Sequence, residues 1–153
     1  MELADLLSPD DIRLDVRVRD KTQLIREIAR HFGQKIPPNL ISAIEPALIA
    51  REQLGSTGLG NGFALPHARI ASLEKCVGQF LRLARPIEFG AIDNKPVALV
   101  FALLMPEQEH VPHVGVLAMI ARRFRDSVLV TNMRHEESSL AAYASLTAPF
   151  VSE

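Results

Sequence analysis

The sequence predicts an α/β domain built around a mixed β-sheet. Three observations carry that expectation. Strand-like and helix-like segments alternate along the chain, which favours helices packed on a sheet over an all-α or all-β fold. Residues 97–104 form a continuous apolar run between two prolines, as a central strand covered on both faces requires. The 153 residues are 48% apolar and 23% charged, ordinary values for one globular domain, and no flexible linker divides them, so a single domain over 1–153 is expected.

Residues 12–18 (Ile-Arg-Leu-Asp-Val-Arg-Val) alternate apolar and charged, the pattern of a half-exposed strand. Asp20 then reads as an N-cap, with Leu24, Ile25, Ile28, Ala29 and Phe32 at helical spacing and Gly33 as the stop. Asn39 is a candidate cap for a second helix carrying Leu40, Ile41, Ile44, Leu48 and Ile49, where Pro46 predicts a kink or a late start. Residues 55–62 hold four glycines in eight positions and read as a loop. Short strands are expected at 63–65 and 76–83 and the buried one at 97–104. Beyond Pro112, Leu117, Ile120, Ala121 and Phe124 share a helical face opposite Arg122, Arg123 and Arg125. Two short helical stretches follow, near 126–134 and 136–146.

Several function classes fall away on composition. Net charge is −1, so no global basic field exists for gripping nucleic acid. The lone cysteine, Cys76, excludes an internal disulfide and a cysteine-rich zinc site; it opens an apolar strand and is expected in the core. The longest apolar run is about half of the roughly 20 residues a membrane helix needs. The N-terminus, MELADLLSPDD, lacks the basic and apolar regions of a secretory signal, so a cytoplasmic protein without direct membrane insertion is expected.

Chemistry concentrates in residues 51–69, REQLGSTGLGNGFALPHAR. Glycines let backbone approach a ligand, and successive N–H groups can form an anion-binding nest. Ser56 and Thr57 offer hydroxyl donors, Arg51 a planar fork suited to phosphate oxygens, and His67 a nucleophilic nitrogen. Together they favour phosphoryl chemistry at histidine. The loop ends in neither Gly-Lys-Ser nor Gly-Lys-Thr, and its glycine spacing does not fit a dinucleotide fingerprint. On spacing alone a purely structural glycine turn stands beside the phosphoryl reading. His110 and His113 flank Val111-Pro112 at the start of the late helix, where unpaired N–H groups favour an anion. A metal reading of this H-x-x-H lacks further ligands, so neither metal nor cofactor is expected. His110 reads as solvent-facing, while His113 shares a face with Leu117, Ile120 and Phe124. His31 and His135 close predicted helices and read as surface or helix-dipole residues, and Glu107, Gln108 and Glu109 as an exposed loop.

The same segment, Arg-Glu, two residues, Gly-Ser-Thr-Gly, an apolar residue, Gly-Asn-Gly, a short apolar stretch and Pro-His, resembles the active-site segment of enzyme IIA domains of the bacterial phosphotransferase system, fructose/mannitol class, and most of all the nitrogen-related branch. The resemblance extends through Pro-Ile-Glu-Phe, Ala-Ile-Asp-Asn-Lys-Pro-Val and the Phe-Ala-Leu-Leu strand to the late His-initiated helix. It implies a three-layer α/β/α sandwich around a mixed sheet of four to five strands. It implies that His67 accepts a phosphoryl group from an HPr-like phosphocarrier, that His113 stabilises the phosphohistidine, and that Arg51, with Ser56 and Thr57, binds the phosphoryl group. The protein is then an enzyme of the phosphotransferase cascade without a cofactor. Its acceptors are regulatory targets, or a separate IIB domain if it serves sugar uptake; a binding module that has lost phosphorylation is the third reading. The chain departs from the resemblance at Ala68-Arg69, where the class often has Gly-Lys. Ala68 is strained there only if that position needs positive φ.

Overall fold

The computed structural model describes residues 1–108 and 113–149, with the side chain of His113 outside the description. Its sheet has six strands, one more than the largest expected number. They are β1 (Ile12–Val16), β2 (Gly58–Gly60), β3 (Phe63–Ala64), β4 (His67–Ile70), β5 (Val77–Ile87) and β6 (Val97–Pro106). The order is β1-β5-β6-β3-β2, with β4 also on β6. β1 runs parallel to β5 and β3 and β4 run parallel to β6, whereas β5–β6 and β2–β3 are antiparallel, so the sheet is mixed as expected.

Among the described residues the α-helices are α1 (Lys21–Phe32), α2 (Ile41–Leu54), α3 (His113–Arg123), α4 (Ser127–His135) and α5 (Ser139–Thr147). They make two outer layers, and the alternation of β6 shows why. Val100, Ala102 and Leu104 enter a core with α1 and α2, while Leu99, Phe101, Leu103 and Met105 enter one with α3, α4 and α5. Both faces of β6 are therefore dry, which accounts for its unbroken apolar run.

Local chemistry sets the helix ends. The Asp20 carboxylate accepts from the Gln23 amide at 2.9 Å and starts α1; Asp126 and Ser138 do the same for α4 and α5. Gly33 ends α1 with ordinary right-handed φ of −60°, so this stop needs no left-handed residue. Asn39 does not cap α2. Pro37-Pro38 first impose a 3-10 turn over Pro38–Leu40, and α2 begins at Ile41. It runs through Pro46 without interruption, because Ser42, whose carbonyl that proline leaves free, lies on the exposed face with it.

Two polar residues are more buried than expected. His31 is not a surface group: its Nε2–H donates to Asp11 Oδ1 at 2.8 Å, and both residues are 5% exposed. Arg123 is not on a wet face. α5 folds over it, and its guanidinium donates to the carbonyls of Ser145, Leu146 and Ala148. His135, Glu107 and Gln108 are exposed and Cys76 is buried, as expected; Glu109 and His110 lie outside the described residues. Among the described residues no helix is long and apolar enough to cross a membrane.

Candidate active site

His67 owes its setting to the proline before it. Residues 63–70 run alongside β6 as β3 and β4, and Pro66, which has no N–H to donate, separates the two. The Pro66 carbonyl still accepts from the Leu103 amide at 3.0 Å, while the Leu65 amide donates the other way, to the Thr57 carbonyl at 2.9 Å; the Leu65 carbonyl therefore faces away from β6, and His67 Nδ1 lies 2.8 Å from it. A carbonyl only accepts, so Nδ1 carries the proton. Nε2 is then the nitrogen with the lone pair, and the Nε–H of Arg51 donates to it at 3.2 Å. The ring is half-buried, and burial pushes its pKa below the ordinary histidine value; the Leu65 bond opposes this, while Arg51 adds to it. His67 is held as the Nδ1–H tautomer, with the Nε2 lone pair facing Arg51.

Arg51 comes from the last turn of α2. Its Nη1 donates to the Gly55 carbonyl at 2.9 Å, just past the helix end. One guanidinium thus bridges helix terminus and histidine. The two residues share a cleft of about 550 Å³ between α2, β4, the end of β6 and the first turns of α3. Arg69 and the strongly exposed Leu54 (86%) and Val114 (77%) stand at it. His113 begins α3 and directly precedes Val114, which lines the cleft.

The Thr57 amide donates to Glu52 at 3.3 Å, the Gly58 amide to Ser56 Oγ at 3.1 Å and the Asn61 amide to Asp93 at 3.0 Å, so these N–H groups make no open nest. Ser56 and Thr57, expected among the phosphate ligands, have their hydroxyls turned elsewhere. Ser56 donates to the Phe89 carbonyl at 3.2 Å, and the hydroxyl of Thr57 (2% exposed) donates to the Glu52 carboxylate. Gly58 is required by close approach, since a Cβ there would meet Ala91 at 2.8 Å. Ala68 sits in β4 opposite Leu104 and is not among the positive-φ residues, so alanine in place of the usual glycine is unstrained.

Sequence reasoning missed two residues behind the site, Glu52 and Lys21. Glu52 has a side chain only 7% exposed, and Lys21 Nζ lies 2.6 Å from its Oε2. The neighbouring Arg-Glu pair in the sequence was the available signal; the partner 31 positions upstream was not.

Fold and cleft together define a class: a small α/β/α domain with one neutral histidine set against an arginine in an open cleft. The chain belongs to the family described as phosphoenolpyruvate-dependent sugar phosphotransferase system, EIIA 2, which matches residues 5–148. It is 38% identical over 149 residues to a nitrogen regulatory protein of Bradyrhizobium diazoefficiens, covering 97% of each chain. The crystal structure of nitrogen regulatory protein IIA-Ntr from Neisseria meningitidis, 34% identical, matches with a TM-score of 0.85 over 95% of this chain and 99% of that one. The complex of enzyme IIA-mannitol with phosphorylated enzyme IIB-mannitol from Escherichia coli matches with a TM-score of 0.75 over 94% of this chain and 98% of that one; at 19% identity this is a likeness of fold. The chain is a IIA-type component of the phosphotransferase system.

Proposed function

We propose that this protein is a phosphoryl carrier in which Nε2 of His67 accepts a phosphoryl group from an HPr-like phosphocarrier and passes it on. One observation carries the reading: the Leu65 carbonyl fixes the Nδ1–H tautomer, leaving the Nε2 lone pair beside Arg51 in an open cleft. In the transfer, the Nε2–P bond forms as the bond from phosphorus to the donor breaks, and the electron pair leaves with the donor. The Nδ1 proton stays on the ring, where the Leu65 carbonyl offsets the positive charge that phosphorylation creates. Attack consumes the lone pair that Arg51 faces. Arg51 then turns its fork to the phosphoryl oxygens, pivoting near its contact with Gly55. His113, at the start of α3, is assigned the second role, stabilising the phosphohistidine.

The likeness to nitrogen regulatory proteins supports the regulatory branch, in which phosphorylation state controls target proteins in the cytoplasm. A separate IIB domain is the alternative acceptor, since the IIA fold matched here is seen bound to a phosphorylated IIB. Intact-mass spectrometry after incubation with enzyme I, an HPr-type carrier and phosphoenolpyruvate, kept away from acid, tests the reading. A gain of one phosphoryl group that His67→Ala abolishes is expected. No gain with a matched carrier overturns it.

A further inference from the structure

The Arg51–His67 contact is 3.2 Å long and is made by an arginine in the final turn of a helix, where backbone fraying is greatest. Something other than the helix must hold that turn. Arg51's own second bond, to Gly55, lies within the same chain end and fixes nothing against the rest of the fold. The adjacent residue does. The Glu52 side chain is buried, and three groups converge on its carboxylate: Lys21 Nζ at 2.6 Å, the Thr57 amide at 3.3 Å and the Thr57 hydroxyl. Lys21 sits in the first turn of α1. Its ammonium also donates to the Phe89 carbonyl at 3.1 Å and lies 4.2 Å from the centre of the Phe89 ring. Ser56 donates to that same carbonyl. Three segments that are distant in sequence, namely the start of α1, the end of α2 with the glycine segment that follows it, and the β5–β6 connection, therefore meet at one carboxylate and its lysine.

A buried carboxylate is costly unless it is paired and hydrogen-bonded, and here it is both. A contact of that kind has one geometry. It fixes the position of residue 52, and through one peptide unit the position of Arg51. Resting on the phosphoryl-carrier reading of His67, we propose that Glu52 is the positioning residue of the site, holding the last turn of α2 through Lys21 and Thr57 so that Arg51 stands at Nε2 of His67 in the resting protein and is in place to meet the phosphoryl oxygens on attack. Glu52 neither touches His67 nor lines its cleft; its charge raises the His67 pKa from a distance, and its hold on the geometry runs through Arg51. Ser56 and Thr57 thereby serve the phosphoryl site as anchors of this knot.

Glu52→Gln is the informative variant, because it keeps the shape and one acceptor oxygen for Thr57 and removes the ion pair with Lys21. Two readouts are taken on the folded variant. The first is the Arg51 Nε–H signal in nitrogen-15 NMR of the unphosphorylated protein, which reports the bond to His67. The second is the saturating rate of phosphoryl acceptance from the HPr-type carrier, separated from the carrier's half-saturating concentration. The expected result is loss of the distinct, slowly exchanging Arg51 Nε–H signal. The saturating rate is expected to fall at least 10-fold with the half-saturating concentration unchanged. An unchanged signal and rate overturn the proposal and leave Glu52 a fold residue. If Glu52→Gln does not fold, Lys21→Met carries the same two readouts with the same criteria. If the wild-type protein takes up no phosphoryl group, the carrier reading fails, while the NMR arm still decides what Glu52 does.

Discussion

At the scale of single residues, two hydrogen bonds set the state of His67. Leu65 holds the Nδ1 proton and Arg51 faces Nε2, so the tautomer is fixed before any donor arrives. Because acceptance needs a neutral ring, and because burial and Arg51 hold His67 below the ordinary value of about 6.5, the acceptance rate is expected to decline on acidification with a midpoint below about 6.5. Rapid-quench measurement as pH is lowered checks it; a midpoint at or above that value contradicts the assignment. His67→Ala is expected to abolish acceptance while changing folding stability by less than about 1 kcal/mol, since a half-buried ring at a cleft carries little of the core. His113→Ala is expected to leave acceptance in place and shorten the phosphohistidine lifetime by about 10- to 100-fold, the worth of one hydrogen bond to a charged group. An unaltered lifetime, followed by loss of the bound phosphoryl mass, removes His113 from the site.

At the scale of elements, legibility follows locality. β1, α1 with its Asp20 cap and the doubly buried β6 are plain in the sequence because each is written by its own period or its own cap. Arg51 and His67, which their residue types single out in the sequence, do meet in one cleft. β2 and β4 are not plain in the sequence: they are three and four residues long, and only pairing with β3 and β6 makes them strands. The roles of Ser56 and Thr57 were hidden for the same reason, since their partners include Phe89, 33 residues beyond Ser56. Within α3, the helical face is legible but its far end is not, because the element that buries Arg123 arrives later in the chain. Phe124, just past α3, joins that helix to the sheet by stacking on Phe63 at 4.2 Å and on Phe80 at 5.9 Å, with Phe101 edge-on at 6.2 Å. Phe124→Ala is expected to cost about 3–4 kcal/mol in urea denaturation. A loss under about 1 kcal/mol means that the cluster repacks without it.

At the scale of the whole molecule, the sheet separates two cores, and the polar contact that joins them lies at its β1 edge. The N-terminal segment contributes Leu3, Leu6, Leu7 and Ile12 to the core shared with α3, α4 and α5, whereas α1 belongs to the other. Asp11, directly before β1, is bonded to His31 near the end of α1, and thus ties one layer to the other. Its second oxygen accepts from the amide and hydroxyl of Ser8 at 2.8 and 2.9 Å, and Lys35 stands 3.5 Å from the first. Burial pushes the Asp11 carboxyl up, but the bonds from His31 and Ser8, with Lys35, outweigh it and hold the group below its ordinary value. A carboxylate whose pKa is lower in the folded state stabilises the fold fully above its unfolded value of about 3.9, and that contribution disappears as pH falls through the lower folded one. His31→Ala removes one partner of a buried pair while Ser8 and Lys35 remain. It is expected to cost about 2–3 kcal/mol near neutral pH and to flatten the decline of stability as pH falls below about 4. Urea midpoints measured through that window for both proteins decide the matter. Parallel curves, offset but equal in slope, show that His31 contributes packing alone and that the two layers are held together by the sheet without this tie.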